Sequence, residues 1–396
     1  MNNCIRVPRF VESMQELFGK GLMLFNHAYT KDNDAMWCLQ RKVVAKVFTT
    51  NNFKLFSEYI FYKHAIQIAD ITNDQRGMCD MSKLASQYAL QSIFDVSCGE
   101  SLVKVDGRYK QSFANSMDFV AQHISTRLVT KPYFKYFWQC MPEGYRLKRE
   151  AGVLTKIVDS IVERRLCEIK DEIAPRSDIM SLFIKKACEL SAEKNEEEAP
   201  LPPSSMLDLA TLREALPEIN GGSGRKLPQD DAYGDGIMYE SLKRFAYLDT
   251  VVSEALRLYM TVPITIKLAF EDDYLPDGTF IPAGAEVSFA PWYMAHHNPI
   301  WGSDPLVFRP ERWLEMKARP SAYEFPIFQA GPRICPGMNM ALTETKLLVV
   351  VLLRQFHIKI QEGEQVENRG YILAPVLTMS GGLPLQVVSR IAAVSS

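Results

Sequence analysis

Apolar positions recur every three to four residues through most of the first half of the chain, the spacing of an amphipathic helix. In "FKLFSEYIFYKHAIQIADI" (Phe53 to Ile71) the stripe is Leu55, Tyr59, Phe61, Ala65 and Ile68, and in "REAGVLTKIVDSIVERRLCEI" it is Val153, Ile157, Ile161 and Leu166. Residues 10 to about 190 are therefore predicted to form successive helices. From about 189 to 240 the pattern gives way to "ELSAEKNEEEAPLPPSSM" and "EINGGSGRKLPQDDAYGDG", whose charge runs, proline pairs and glycine clusters signal loop. Only Met206 to Ile219 between them keeps the spacing of a short helix. Order resumes with "MYESLKRFAYLDTVVSEALRLYM", predicted as one long helix burying Leu248, Val251, Val252, Ala255, Leu256 and Tyr259. Next, "YLPDGTFIPAGAEVSFAPW" reads as strand, turn and strand around Pro276, Asp277 and Gly278, and a second hairpin is expected around Gly381 and Gly382. The predicted fold class is mainly α with small peripheral β-sheets, without repeats.

At 396 residues the chain is long enough for one large domain or two medium ones. Its 47% apolar and 23% charged residues are an ordinary globular composition, and a formal net charge of −2 argues against a nucleic-acid partner. The eight cysteines form no C-x-x-C pair and the six histidines no H-x-x-x-H spacing, which speaks against a zinc site or a disulfide framework. Reduced cysteines suit the cytosol or a surface facing it. The opening "MNNCIRVPRFVESM" has neither the apolar run of a signal peptide nor a span of about 20 apolar residues, so no membrane anchor is expected.

One cysteine stands apart. Cys335 lies in "FPIFQAGPRICPGMNMALTETKLLVVVLLRQF", between a loop rich in glycine and proline and a strongly apolar helix. A cysteine in apolar surroundings is ordinarily a small buried hydrophobe. Here a helix follows directly, and its N-terminus, with Arg333 two residues before the cysteine, favours thiolate over thiol. A thiolate is a nucleophile or a metal ligand. A nucleophile needs a base, and no histidine is near in sequence. A haem ligand needs one cysteine, a rigid loop whose donors face the sulfur, and cations for the propionates.

"FQAGPRICPG" resembles the haem-binding signature F-x-x-G-x-R-x-C-x-G of the cytochrome P450 superfamily, with Phe328, Gly331, Arg333, Cys335 and Gly337 at the fixed positions. The resemblance implies haem b with Cys335 as axial thiolate on the iron, Phe328 packed beside haem and sulfur, and Arg333 on a propionate. "SEALRLYM" carries Glu254 and Arg257, similar to the family's E-x-x-R pair, although Glu143 and Arg146 show the same spacing in "PEGYR". "FRPERW" matches the segment whose arginine, Arg309 or Arg312 here, completes a structural network. "MWCLQRKVVAKVFT" resembles the W-x-x-x-R helix, so that Trp37 and Arg41 would reach one propionate, and "VPITIK" puts Lys267 near the other.

"ELFGKGLMLFN", "HNPIWGSDPLVFRPERWL" and "LTMSGGLPLQV" look most like the eukaryotic fatty-acid and alkane omega-hydroxylases of this superfamily. This implies a monooxygenase that places one atom of dioxygen in a C–H bond of an apolar substrate. The pocket would be lined by Leu22 to Phe25, Val262 to Thr265 and Pro375 to Leu377. Electrons from NADPH would arrive through a reductase, without direct NADPH binding. Lys346 and Arg354 could meet that reductase, or simply face solvent. By resemblance the site of action is the cytosolic face of the endoplasmic reticulum membrane; a chain without an anchor would be cytoplasmic.

Two departures qualify the resemblance. The expected domain is a single cytochrome P450 fold over residues 10–396, incomplete at its N-terminus. The family's central helix, with its oxygen-activating acid and threonine, has no counterpart between Ile179 and Leu248, where the irregular segment 190–240 stands instead, so no catalytic residue is assigned. A catalytically impaired or non-catalytic haem-binding remnant is thus the alternative. A thiol hydrolase built on Cys335 would leave Phe328, Arg333 and the Glu254 helix without a role.

Overall fold

The computed structural model describes residues 4–5, 56–75, 77–109, 112–129, 141–170, 178, 180, 239–269, 271–297, 299–331, 334–372 and 376–390. After strand β1 (Cys4–Ile5), a π-turn over Phe56–Phe61 leads into helix α1 (Tyr62–Asp74). A π-turn is wider than an α-turn and shifts the phase of the apolar stripe. Phe61, Ala65 and Ile68 are fully buried, whereas Tyr59, read as part of that stripe, is 51% exposed.

Strand β2 (Met78–Asp80) ends in a cap: the Asp80 carboxylate accepts the Ser82 N–H at 3.1 Å and starts α2 (Met81–Cys98). Gly99 ends α2 at φ +63°, and a Cβ there would lie 2.6 Å from Asp178 Oδ2, so glycine is required. Helices α3 (Leu102–Tyr109), α4 (Phe113–Val129) and α5 (Pro142–Lys170) pack on the end of α2 through Phe94, Val105, Val120, Leu154, Ile157 and Ile161. In α5 the core-facing row also contains Arg165, which donates to Cys98 O at 2.5 Å and to Glu168 at 2.6 Å.

The long helix expected near residue 240 is two: α6 (Tyr239–Leu242) and α7 (Ala246–Leu258), interrupted by a turn at Lys243 to Phe245. The buried face of α7 also differs from the apolar one expected. It holds Thr250, Val252, Ser253, Glu254, Arg257 and Leu258, while Tyr259 is exposed. The reason is an ion-pair network that occupies the core side of the helix.

Strands β3 (Thr265–Ala269), β4 (Asp273–Tyr274), β5 (Phe280–Ile281) and β6 (Glu286–Phe289) form two antiparallel sheets, ordered β1-β3-β6 and β4-β5. The β4-β5 turn is the expected one: Gly278 sits at φ +86° and donates its N–H to Leu275 O at 2.9 Å. Helix α8 (Pro291–His297) and the short α9 (Arg312–Glu315) precede the Cys335 loop. Helix α10 (Met338–Gln355) then passes without a loop into β7 (Phe356–Ile360). Its Leu347, Leu348, Val351 and Leu352 join Phe61, Ile68 and Tyr88 in the main core. Each fully buried aliphatic side chain there contributes roughly 1.5–3 kcal/mol.

The second hairpin is not closed by Gly381 and Gly382. Strand β8 (Tyr371–Ile372) pairs with β9 (Thr378–Met379), and β10 (Pro384–Ser389) leaves for the sheet β2-β10-β7. The two glycines, at φ +80° and +73°, turn the chain from one sheet into the other. Mainly helical layers with small antiparallel sheets at the side are the fold class read from the sequence. Among the described residues no helix is long and apolar enough to cross a membrane.

Candidate functional site

The site rests on a buried charge network. Glu254 on α7 is fully buried and accepts five hydrogen bonds: two from Arg257 at 2.8 and 2.9 Å, one from Arg312 Nε at 2.9 Å, one from the Arg309 backbone N–H at 2.9 Å and one from Trp313 Nε1 at 2.9 Å. Burial alone would raise its carboxyl, but the donors, Arg257 foremost, outweigh this and hold it at about 2. Arg257 also donates to Ala295 O and Pro305 O, at 2.7 and 2.6 Å. Arg312 reaches Trp301 O at 2.5 Å, Asp304 O at 2.9 Å and Val307 O at 3.0 Å. Between the two candidate arginines the roles divide. The Arg312 guanidinium enters the network, whereas that of Arg309 turns outward to Asp304 and Glu315.

The network reaches the cysteine loop through aromatic rings. Trp301, Trp313 and Phe325 form a triangle with centroids 5.2–5.4 Å apart, and the Arg257 guanidinium lies 5.2 Å from the Trp301 ring. Phe325 opens the loop. Gln329 N–H donates to Pro326 O at 3.0 Å, and Cys335 N–H donates to Phe328 O at 2.7 Å, so the loop closes on itself. Gly331 takes φ +67°, and a Cβ on it would come within 3.3 Å of the Tyr323 hydroxyl. Gly337 is the N-cap of α10, and the nearest atom to a Cβ placed there would be Cys335 Sγ at 3.9 Å. Cys335 is a free thiol, partly exposed at the end of this closed loop. Phe328 is half-buried beside it in the chain path.

Strand β3 lies against the loop: Gln329 Nε2 donates to Thr265 Oγ1 at 2.7 Å. Lys267 is two residues further on the same strand face and half-buried. The segments Val262 to Thr265 and Val376 to Leu377 are brought together, since Leu377 N–H donates to Thr261 O at 2.8 Å. Ile264 and Val376 there are 56% and 45% exposed. Arg333, Trp37, Arg41, Leu22 to Phe25, Pro375 and nearly all of segment 190–240 lie outside the described residues.

Several participants carried no sequence signal. Trp313 and Asp304 were only parts of a matching segment, and Gln329 and Thr265 only spacers. Glu344 on α10 is buried, its Oε1 without a hydrogen-bond partner, and burial pushes its carboxyl up to about 8, offset in part by the nearby Ser92 hydroxyl. Lys346 is no open cation: it pairs with Asp249 and its side chain is 15% exposed, whereas Arg354 is exposed.

The cytochrome P450 family model matches residues 225–377, the span that holds Glu254, Arg312 and Cys335. The chain is 39% identical to cytochrome P450 CYP94D109 of Paris polyphylla over 409 residues, covering 95% of this chain and 80% of that relative. It is 28% identical to noroxomaritidine synthase 1 of Narcissus pseudonarcissus, covering 94% and 77% of the two chains. With cytochrome P450 704B1 of Arabidopsis thaliana it shares 26% identity, over 95% and 81%. With a relative this similar over most of both lengths, and the family model spanning the cysteine loop and the buried network, the chain belongs to the cytochrome P450 family of monooxygenases.

Proposed function

We propose that this chain hydroxylates a long apolar substrate, a fatty acid or alkane, near its end, with Cys335 as the axial ligand of haem b. The donor set fits that group. Among the described residues no three His, Cys, Asp or Glu side chains converge as a metal cage. A single soft thiolate suffices where the porphyrin brings the other donors. The observation that carries the reading is the loop from Phe328 to Gly337, closed by the Cys335 N–H to Phe328 O bond, with the thiol left partly exposed at its end.

When bound, thiolate-ligated haem supplies the means to activate dioxygen with electrons delivered from NADPH by a reductase. The protein's part is to hold and exclude. The closed loop directs the sulfur and Gly337 leaves space beside it; by resemblance, Phe328 would pack beside haem and sulfur. Lys267, with Arg333, Trp37 and Arg41 by resemblance, would meet the propionates. The apolar segments around Ile264 and Val376 support an apolar substrate. Attachment to the endoplasmic reticulum membrane is part of the same reading, taken from the omega-hydroxylase resemblance.

The test is spectroscopic first. Ferrous protein with carbon monoxide is expected to show the strongly red-shifted Soret band of thiolate ligation, and Cys335→Ala is expected to lose it together with most haem retention. Retention at wild-type stoichiometry and spectrum would overturn the assignment. NADPH consumption coupled to hydroxylated fatty acid is then expected in the presence of a reductase. Haem binding without any such product would favour a non-catalytic haem protein.

A further inference from the structure

Gln329 is the one non-glycine residue at positive φ among the described residues, at +66°. An L residue with a long side chain disfavours this left-handed conformation, and glutamine lacks the short local hydrogen bonds that let asparagine visit it. Such backbone persists where its surroundings over-determine it. Three bonds do so here. The Gln329 N–H is held by Pro326 O at 3.0 Å, its neighbour Phe328 accepts the Cys335 N–H at 2.7 Å, and its own Nε2 donates to Thr265 Oγ1 at 2.7 Å. Thr265 is only 9% exposed and is the first residue of β3, whose pairing with β6 fixes its position. Thr265 and Lys267 point to one face of that strand. The glutamine thus spends an unfavourable backbone conformation to reach, from beside the residue that closes the cysteine loop, the strand face that carries Lys267.

We propose that the Gln329–Thr265 hydrogen bond is a positioning tie. It sets the register of the Cys335 loop on β3, and so the direction and donor strength of the Cys335 thiolate. The inference rests on the reading of Cys335 as axial ligand, and both residues act through the loop rather than on substrate.

The experiment uses the full chain loaded with haem, read as the ratio of thiolate to protonated-thiol bands in the ferrous carbon monoxide spectrum, with thermal melting measured in parallel. Gln329→Gly suits the left-handed backbone and removes the tie together with the rest of the side chain; Thr265→Val removes the acceptor at nearly constant shape. Each is expected to lower the band ratio about fivefold, the worth of one hydrogen bond. The double variant is expected to fall no further, and Thr265→Ser to keep the wild-type ratio. Should Thr265→Val fail to accumulate, Gln329→Glu decides, because its carboxylate can accept from the Thr265 hydroxyl and is expected to recover most of what Gln329→Gly loses. Unchanged ratios in the single variants, losses that multiply to roughly 25-fold in the double, or a lowered melting temperature with the ratio intact would each overturn the tie. A Cys335→Ala variant that keeps the wild-type band would overturn the axial-ligand reading, and the tie with it.

Discussion

The chain contains the same four-residue pattern twice, with opposite outcomes. Glu143 and Arg146 on α5 and Glu254 and Arg257 on α7 share the spacing that puts an acid and a base on one helix face. On α5 both are exposed; Arg146 lies over the Phe119 ring at 4.2 Å and reaches Glu150 only at 4.0 Å. On α7 both are fully buried and every polar atom has a stated partner. The difference comes from the segment after α8, which supplies Arg312, Trp313 and a set of backbone carbonyls. A buried carboxylate is tolerable only when its donors replace water completely. Glu344 makes the point from the other side: also buried but nearly without donors, its carboxyl shifts up instead of down.

The largest effect is expected from Glu254→Ala, which leaves two buried guanidiniums without their shared acceptor. A loss of about 3–5 kcal/mol is expected in urea unfolding, and a stability near wild type would mean that the network is not a unit. Glu344→Gln works in the opposite sense. Its folded value of about 8 stands above the ordinary 4.5, so the folded state holds a proton that the unfolded chain gives up. Stability from this group is therefore highest below pH 4.5 and is lost as pH rises toward 8. The variant is expected to flatten that decline and to gain a few kcal/mol at pH 9, visible as a higher unfolding midpoint. Glu254 carries the reverse sign: its contribution is complete above 4.5 and drains as pH falls toward 2.

A finer contrast separates the two arginines. Arg312→Lys keeps the charge but not the fork, and is expected to cost about 2 kcal/mol, the weight of lost charge-assisted bonds. Arg309→Lys retains the backbone N–H that Glu254 uses, and its outward ion pairs leave a change within about 0.5 kcal/mol. Equal costs would return the roles to an even division. The smallest effect belongs to the α5 pair, where Glu143→Ala is expected to shift unfolding by less than about 0.5 kcal/mol.

Much of the site could be read in advance because spacing along one chain segment is enough to state it. Phe328, Gly331, Cys335 and Gly337 form one local loop, and the helix after it follows from its apolar run. The choice between Arg309 and Arg312 could not be read, because both sit in one short segment and only packing decides which side chain turns inward. The apolar face assigned to α7 was misplaced for a related reason. Periodicity treats charge as surface, yet five donors made Glu254 a core residue. The hairpin expected at Gly381 and Gly382 failed because two glycines mark a turn without saying which strands the turn joins.

By itself the sequence determined the helical class, the cysteine loop and the family, since each is written in local spacing and short-range backbone preference. Tertiary structure alone decided which of two identical Glu–Arg patterns became core, which carboxyl was lowered and which raised, and that Gln329 reaches Thr265 from 64 residues away. These depend on desolvation and on donors brought from distant segments, and neither quantity exists until the chain has packed.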